Sequence, residues 1–134
     1  MKRGRAYEEA RRLGDRYPIQ YSESDRRVVV ERFDFPEGWD PRFGKLRYDL
    51  PGTYPRDIPT VYIPREQSYE TGKPRHLLRG IGPSGGDGTW SKWCIEDHNV
   101  TWDPDEDTLI KLTTMMRASL AAPNSDNPFA EGQA

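Results

Sequence analysis

The order of periodic segments predicts an α+β domain: a helix, antiparallel strands, a long loop and a second helix. Three observations carry that reading. Tyr7, Ala10 and Leu13 recur at helical spacing near the start. Leu46, Tyr48 and Leu50 alternate with Lys45, Arg47 and Asp49, as a half-buried strand does. Leu109, Leu112, Met116 and Leu120 return to helical spacing near the end.

Each element has its own local signals. The first sixteen residues read as a helix whose polar side carries Glu8, Glu9, Arg11 and Arg12, stopped by Gly14 and Tyr17-Pro18. Residues 27–35 are β-branched and aromatic, with Val29, Phe33 and Phe35 on one side of the strand. Residues 36–41, with two prolines and a glycine, read as a loop. Residues 43–50 return as the partner of an antiparallel hairpin. Residues 60–63 form a further short strand, entered irregularly through Tyr54-Pro55 and Pro59. From residue 64 to 90 the chain is Gly- and Pro-rich without periodicity, a loop length that is often functional. The last helix spans about 107–121, with Asp105 or Asp107 as N-cap and Pro123 as stop. The expectation is therefore one domain over residues 1–122, with three or four strands, and a polar tail over 123–134.

Composition limits the classes open to such a domain. Leu, Ile, Val and Phe make up only 23 of 134 residues, but the net charge is −2, so the chain does not have the charge excess of a disordered one. Four Trp, seven Tyr and four Phe supply the missing burial, at roughly 150–250 Å² each. The longest aliphatic run is Val28-Val29-Val30, which predicts neither a membrane span nor a secretory signal. The balanced charge argues against a nucleic-acid binder. One cysteine excludes an internal disulfide and suits a reducing, cytoplasmic setting.

Few residues carry chemistry. Residues 80–85 match G-x-G-x-x-G, but no helix pattern follows, so the match reads as a loop and no nucleotide cofactor is expected. Cys94 and His98 have half a zinc spacing, and the only other histidine is His76, so no metal is expected. A lone cysteine between Trp93 and Ile95 is ordinarily a small buried hydrophobe. Its position changes that reading: it follows the long loop and stands eight residues before Trp102-Asp103-Pro104.

In order along the chain come Tyr54-Pro55, Pro59, the strand with Val61 and Ile63, Cys94, Trp102-Asp103-Pro104, a helix, Pro123-Asn124 and Asn127-Pro128. This succession resembles the ubiquitin-conjugating (UBC-like) enzymes, and with the upstream helix and strands the resemblance spans nearly the whole chain. The family's His-Pro-Asn motif is absent. His76-Leu77-Leu78 is similar instead to the version in compact bacterial members, and the chain ends at Ala134, before the place of the family's last two helices. The bacterial relatives occur in operons with an activating enzyme and a ubiquitin-like protein, and are implicated in antiviral (anti-phage) defence.

The resemblance implies a transferase. Cys94 would take the C-terminus of a ubiquitin-like protein as a thioester from an activating enzyme and pass it to a target amine. A thiolate is both nucleophile and leaving group, which suits thioester exchange. The oxyanion formed on transfer to an amine needs a donor, and His76, His98 and Asn99 stand open for that role. Where the family has an acid that positions or deprotonates an incoming lysine this chain has Asn127, so either Asp126 beside it or a partner protein is expected to supply that group. The activating enzyme is expected on the N-terminal helix, at Arg5 and Arg12. Two rival readings stand beside this one: a silent UBC-like binding module with Cys94 in its core, and a cysteine hydrolase using Cys94, His98 and Asp97.

Overall fold

Helix α1, Arg5–Gly14, buries Ala10 and Leu13 of the predicted face, with Tyr7 half-buried. The computed structural model describes residues 4–72, 74, 77–78, 89–95 and 102–124. One α1 residue departs from expectation: Glu9, assigned to the polar side, is buried at 5% exposure. It is tolerated there because its carboxylate accepts from Arg5, from the Tyr54 hydroxyl and from the Leu109 N–H.

Strand β1, Ile19–Ser22, opens a meander that continues through β2, Arg27–Asp34, β4, Phe43–Asp49, and β5, Thr60–Pro64. The predicted hairpin is the β2–β4 pair, antiparallel with Val30 opposite Leu46. The predicted sidedness of β2 is half right. Phe33 and Phe35 are buried, but their inward partners are Val28 and Val30, not Val29. Between Val30↔Leu46 and Phe33↔Gly44, β2 spends three residues where β4 spends two. That bulge at Glu31-Arg32 flips the alternation, which a parity count along the sequence cannot register.

The sheet is wider than the three or four strands expected. Among the described residues two further strands, β7, Leu77–Leu78, and β8, Trp90–Trp93, extend it to six in the order β1-β2-β4-β5-β8-β7, every neighbour antiparallel. Both strands fall in or at the end of the stretch read as loop. The 36–41 loop also gains a short strand, β3, Trp39–Asp40, paired with β6, Ser68–Tyr69. That pairing seats the buried Trp39, whose indole N–H donates to the Leu120 carbonyl at 2.8 Å.

Helix α2, Leu109–Ala121, buries all four residues of the predicted stripe. Its N-cap is Thr108, whose hydroxyl accepts from the Lys111 N–H at 3.2 Å; Asp105 and Asp107 do not cap it. Asp107 instead accepts from the Asp103 N–H one turn earlier, at 2.7 Å. Both helices join the inward residues of the sheet in one core, so the helices and sheet form two layers. Among the described residues no helix is long and apolar enough to cross a membrane.

Candidate active site

Cys94 leaves the C-terminal end of β8, directly after Trp93. The strand is held on both flanks, by β5 through Val61↔Trp93 and by β7 through Leu77↔Trp93. Trp93 is fully buried, and its indole N–H donates to the Ser119 hydroxyl of α2 at 2.8 Å. Ile95 on the other side is also in the core. Cys94 between them is 7% exposed, yet it lies outside the core cluster that holds both neighbours. Cys94 is thus a buried residue at the end of a strand paired on both flanks. The sequence placed it beside a surface loop; the burial is greater than that expectation.

Downstream, the Trp102-Asp103-Pro104 segment is built into a tight connection to α2. Asp103 accepts from the N–H of Asp105 at 2.9 Å through its side chain and from Asp107 at 2.8 Å through its carbonyl. The Trp102 indole N–H donates to the Pro55 carbonyl at 2.7 Å, and its ring lies 6.3 Å from that of Tyr54. Tyr54-Pro55 and Trp102-x-Pro104 stand 47 residues apart between Pro55 and Trp102, and folding brings them into contact. Trp102 and Pro104 therefore tie the approach to α2 to Pro55 and to Arg5.

Arg5 is not the free cation that the expected docking role suggested. Its guanidinium donates to Glu9 and to the carbonyls of Pro104 and Asp107, tying α1 to the approach to α2. Arg12 is exposed on the same helix. The other sequence-predicted site residues, His76, His98, Asn99 and Asp126, lie outside the described residues, as do the G-x-G-x-x-G stretch and Asp97. Among the described residues no group of three or more His, Cys, Asp or Glu side chains forms a metal cluster. A groove of about 650 Å³ opens between Phe43, Lys45, Pro64 and Trp90, and Cys94 is not part of its described walls.

The Arg5–Glu9–Tyr54 cluster escapes sequence reading because Arg5 and Glu9 at i, i+4 look like an ordinary solvated pair. Burial, then the hydrogen bond to Glu9 and its charge, push the Tyr54 phenol above its ordinary range. Burial does the same to Tyr48, which shares a hydrogen bond of 2.7 Å with Thr113. Folding thus favours both neutral phenols. That contribution is whole below the unfolded tyrosine value of about 10 and is lost as pH rises beyond it. Unfolding free energy from urea titrations is expected to fall above a pH of about 10, and to fall less steeply in Tyr54→Phe. An identical alkaline slope in the variant contradicts the assignment.

Comparison with protein-family models, with curated proteins and with solved structures gives no match.

Proposed function

We propose that the protein is a ubiquitin-conjugating-type carrier that holds a ubiquitin-like protein as a thioester on Cys94. The observation that supports it most is the meeting of Tyr54-Pro55 with Trp102-x-Pro104 just beyond the cysteine. Two separated fragments of the resemblance thus form one structural unit, downstream of the candidate nucleophile. The α+β layout, with an N-terminal helix, an antiparallel meander and a helix after the Trp-x-Pro turn, is compatible with the same reading.

In this mechanism the Cys94 thiolate attacks the thioester carbonyl carbon of the charged activating enzyme. A tetrahedral intermediate forms, the enzyme's thiolate leaves, and the acyl group remains on Cys94. An amine of the target then attacks the new thioester, loses a proton to a base, and expels the Cys94 thiolate. His76, His98 and Asn99 stand as alternatives for the oxyanion donor, and Asp126 for the base. The setting proposed is a bacterial, cytoplasmic conjugation system.

One observation favours a second reading. At 7% exposure Cys94 is as buried as a structural cysteine, which fits a silent UBC-like module that only binds partners. Incubation with ATP and with an activating enzyme and ubiquitin-like protein from a bacterial conjugation operon of the kind the resemblance implies separates the readings. A reducible adduct that persists until an amine is added supports the carrier. Free modifier released from an activated ester at a steady rate supports the cysteine hydrolase, and no adduct at all supports the silent module.

The activating enzyme is proposed to dock on the exposed face of α1. Because Arg5 is committed internally, the informative charge reversals are Arg11→Glu and Arg12→Glu, both at exposed positions. Together they are expected to slow charging several-fold at about 0.02 M salt and much less at about 0.5 M, where exposed charges are screened within a few ångströms. The same slowing at both salts contradicts an electrostatic role for this face.

A further inference from the structure

We infer that Arg5 and Glu9 of α1 are positioning residues for the Cys94 thiol. They hold the chain from Trp102 to the start of α2 and so govern how often the thiol opens to solvent. The inference rests on the proposed role of Cys94 as the reacting group, though its test does not.

The argument runs along named contacts. Glu9 is a buried carboxylate reached from three separate elements: Arg5 of its own helix, Tyr54 of the turn before β5, and the Leu109 N–H at the first residue of α2. Arg5 adds the carbonyls of Pro104 and Asp107, both in the connection that leads into α2. The pair therefore fixes α2 and its approach against α1. At its other end α2 accepts the Trp93 indole N–H on Ser119, and Trp93 is the residue before Cys94. The residue before Cys94 thus has its anchor on α2. Eight residues after Cys94 is Trp102, held to Pro55 beside Tyr54.

Cys94 is a buried residue, so its reaction with a partner protein is expected to go through local opening. If the Arg5–Glu9 pair governs that opening, a protein pressing on the exposed side of α1 acts on the same helix that restrains the thiol. The surface proposed for the activating enzyme and the reacting group would then be mechanically linked through the buried Glu9 and the part-exposed Arg5 that pairs with it.

Cys94 is the only cysteine, so alkylation by iodoacetamide reports this thiol alone. The experiment follows the labelling rate of the full chain from pH 7 to 9.5, in zero to low urea, for the parent, Glu9→Gln and Arg5→Lys. Glu9→Gln keeps the size and an acceptor oxygen but loses the charge that Arg5 pairs with. The expected result is labelling about tenfold faster in Glu9→Gln, the scale of losing a charged hydrogen bond. The rate should be nearly independent of urea, as local opening requires. Arg5→Lys, which keeps the charge without the fork, should lie between it and the parent. Should Glu9→Gln not fold, the same two readouts on Arg5→Lys decide alone. Unchanged labelling, or labelling whose urea slope equals that of global unfolding, overturns the inference. Because no activating enzyme is present, fast local opening in a protein that never forms a thioester upholds the positioning role while the carrier reading fails.

Discussion

Trp93→Ala is expected to lower the unfolding free energy by about 3–5 kcal/mol, the largest loss from any one side chain near the site. The residue is fully buried, and its ring meets that of Trp39 edge-on at 5.8 Å between centroids. Its indole N–H is satisfied by Ser119 at 2.8 Å. Truncation removes the apolar contacts, leaves a cavity between β8 and α2, and deprives the Ser119 hydroxyl of its donor. Two milder variants separate these contributions. Ser119→Ala removes the hydroxyl that accepts from the buried indole N–H and should cost about 1–3 kcal/mol. Trp93→Phe keeps part of the ring volume and should lie between. Urea unfolding followed by circular dichroism measures all three. A loss below about 1 kcal/mol for Trp93→Ala, the size of a typical surface change, contradicts the claim that this residue seats the cysteine strand on the helix.

The features that sequence reading recovers are those whose signal is local and repeated. The α2 stripe and the alternation of Leu46, Tyr48 and Leu50 each supply three or more correctly spaced apolar residues, and all of them are buried. What it misses depends on partners distant in the chain. Trp90–Trp93 is a strand with an inward serine and an outward lysine, so its pattern lacks the apolar alternation that marks a strand. Ile19–Ser22 is short and half polar, and it becomes a strand because β2 offers it a pairing edge. The bulge at Glu31-Arg32 inserts one residue, and that single insertion is enough to exchange Val29 for Val28 and Val30 on the inward face. Glu9 is the sharpest case. Nothing local distinguishes it from Glu8, and only the arrival of Tyr54 and Leu109 makes a buried carboxylate possible.

The site is legible to a different degree. Cys94 stands out through its spacing to Trp102, and Trp102 itself is held by its indole N–H to the Pro55 carbonyl. Arg5 reads in sequence as part of a basic docking face, whereas its contacts are to Glu9 and two backbone carbonyls. A charge run along a helix records which residues are cationic. Which of them face inward is decided by the element packed against the helix, here the approach to α2.

The carrier reading stands or falls on one atom, the Cys94 sulfur, and substitution there carries the largest functional effect. The measurement is intact mass spectrometry of the full chain after incubation with ATP and with an activating enzyme and ubiquitin-like protein from a bacterial conjugation operon of the kind proposed. The parent is expected to gain the modifier's mass less one water, and to lose it on treatment with a thiol reductant. Cys94→Ala is expected to gain nothing. Cys94→Ser either gains nothing or forms an oxyester that survives the reductant, because an alkoxide is a far poorer leaving group than a thiolate. A parent chain that never gains the modifier's mass, or a Cys94→Ala chain that still does, contradicts the account.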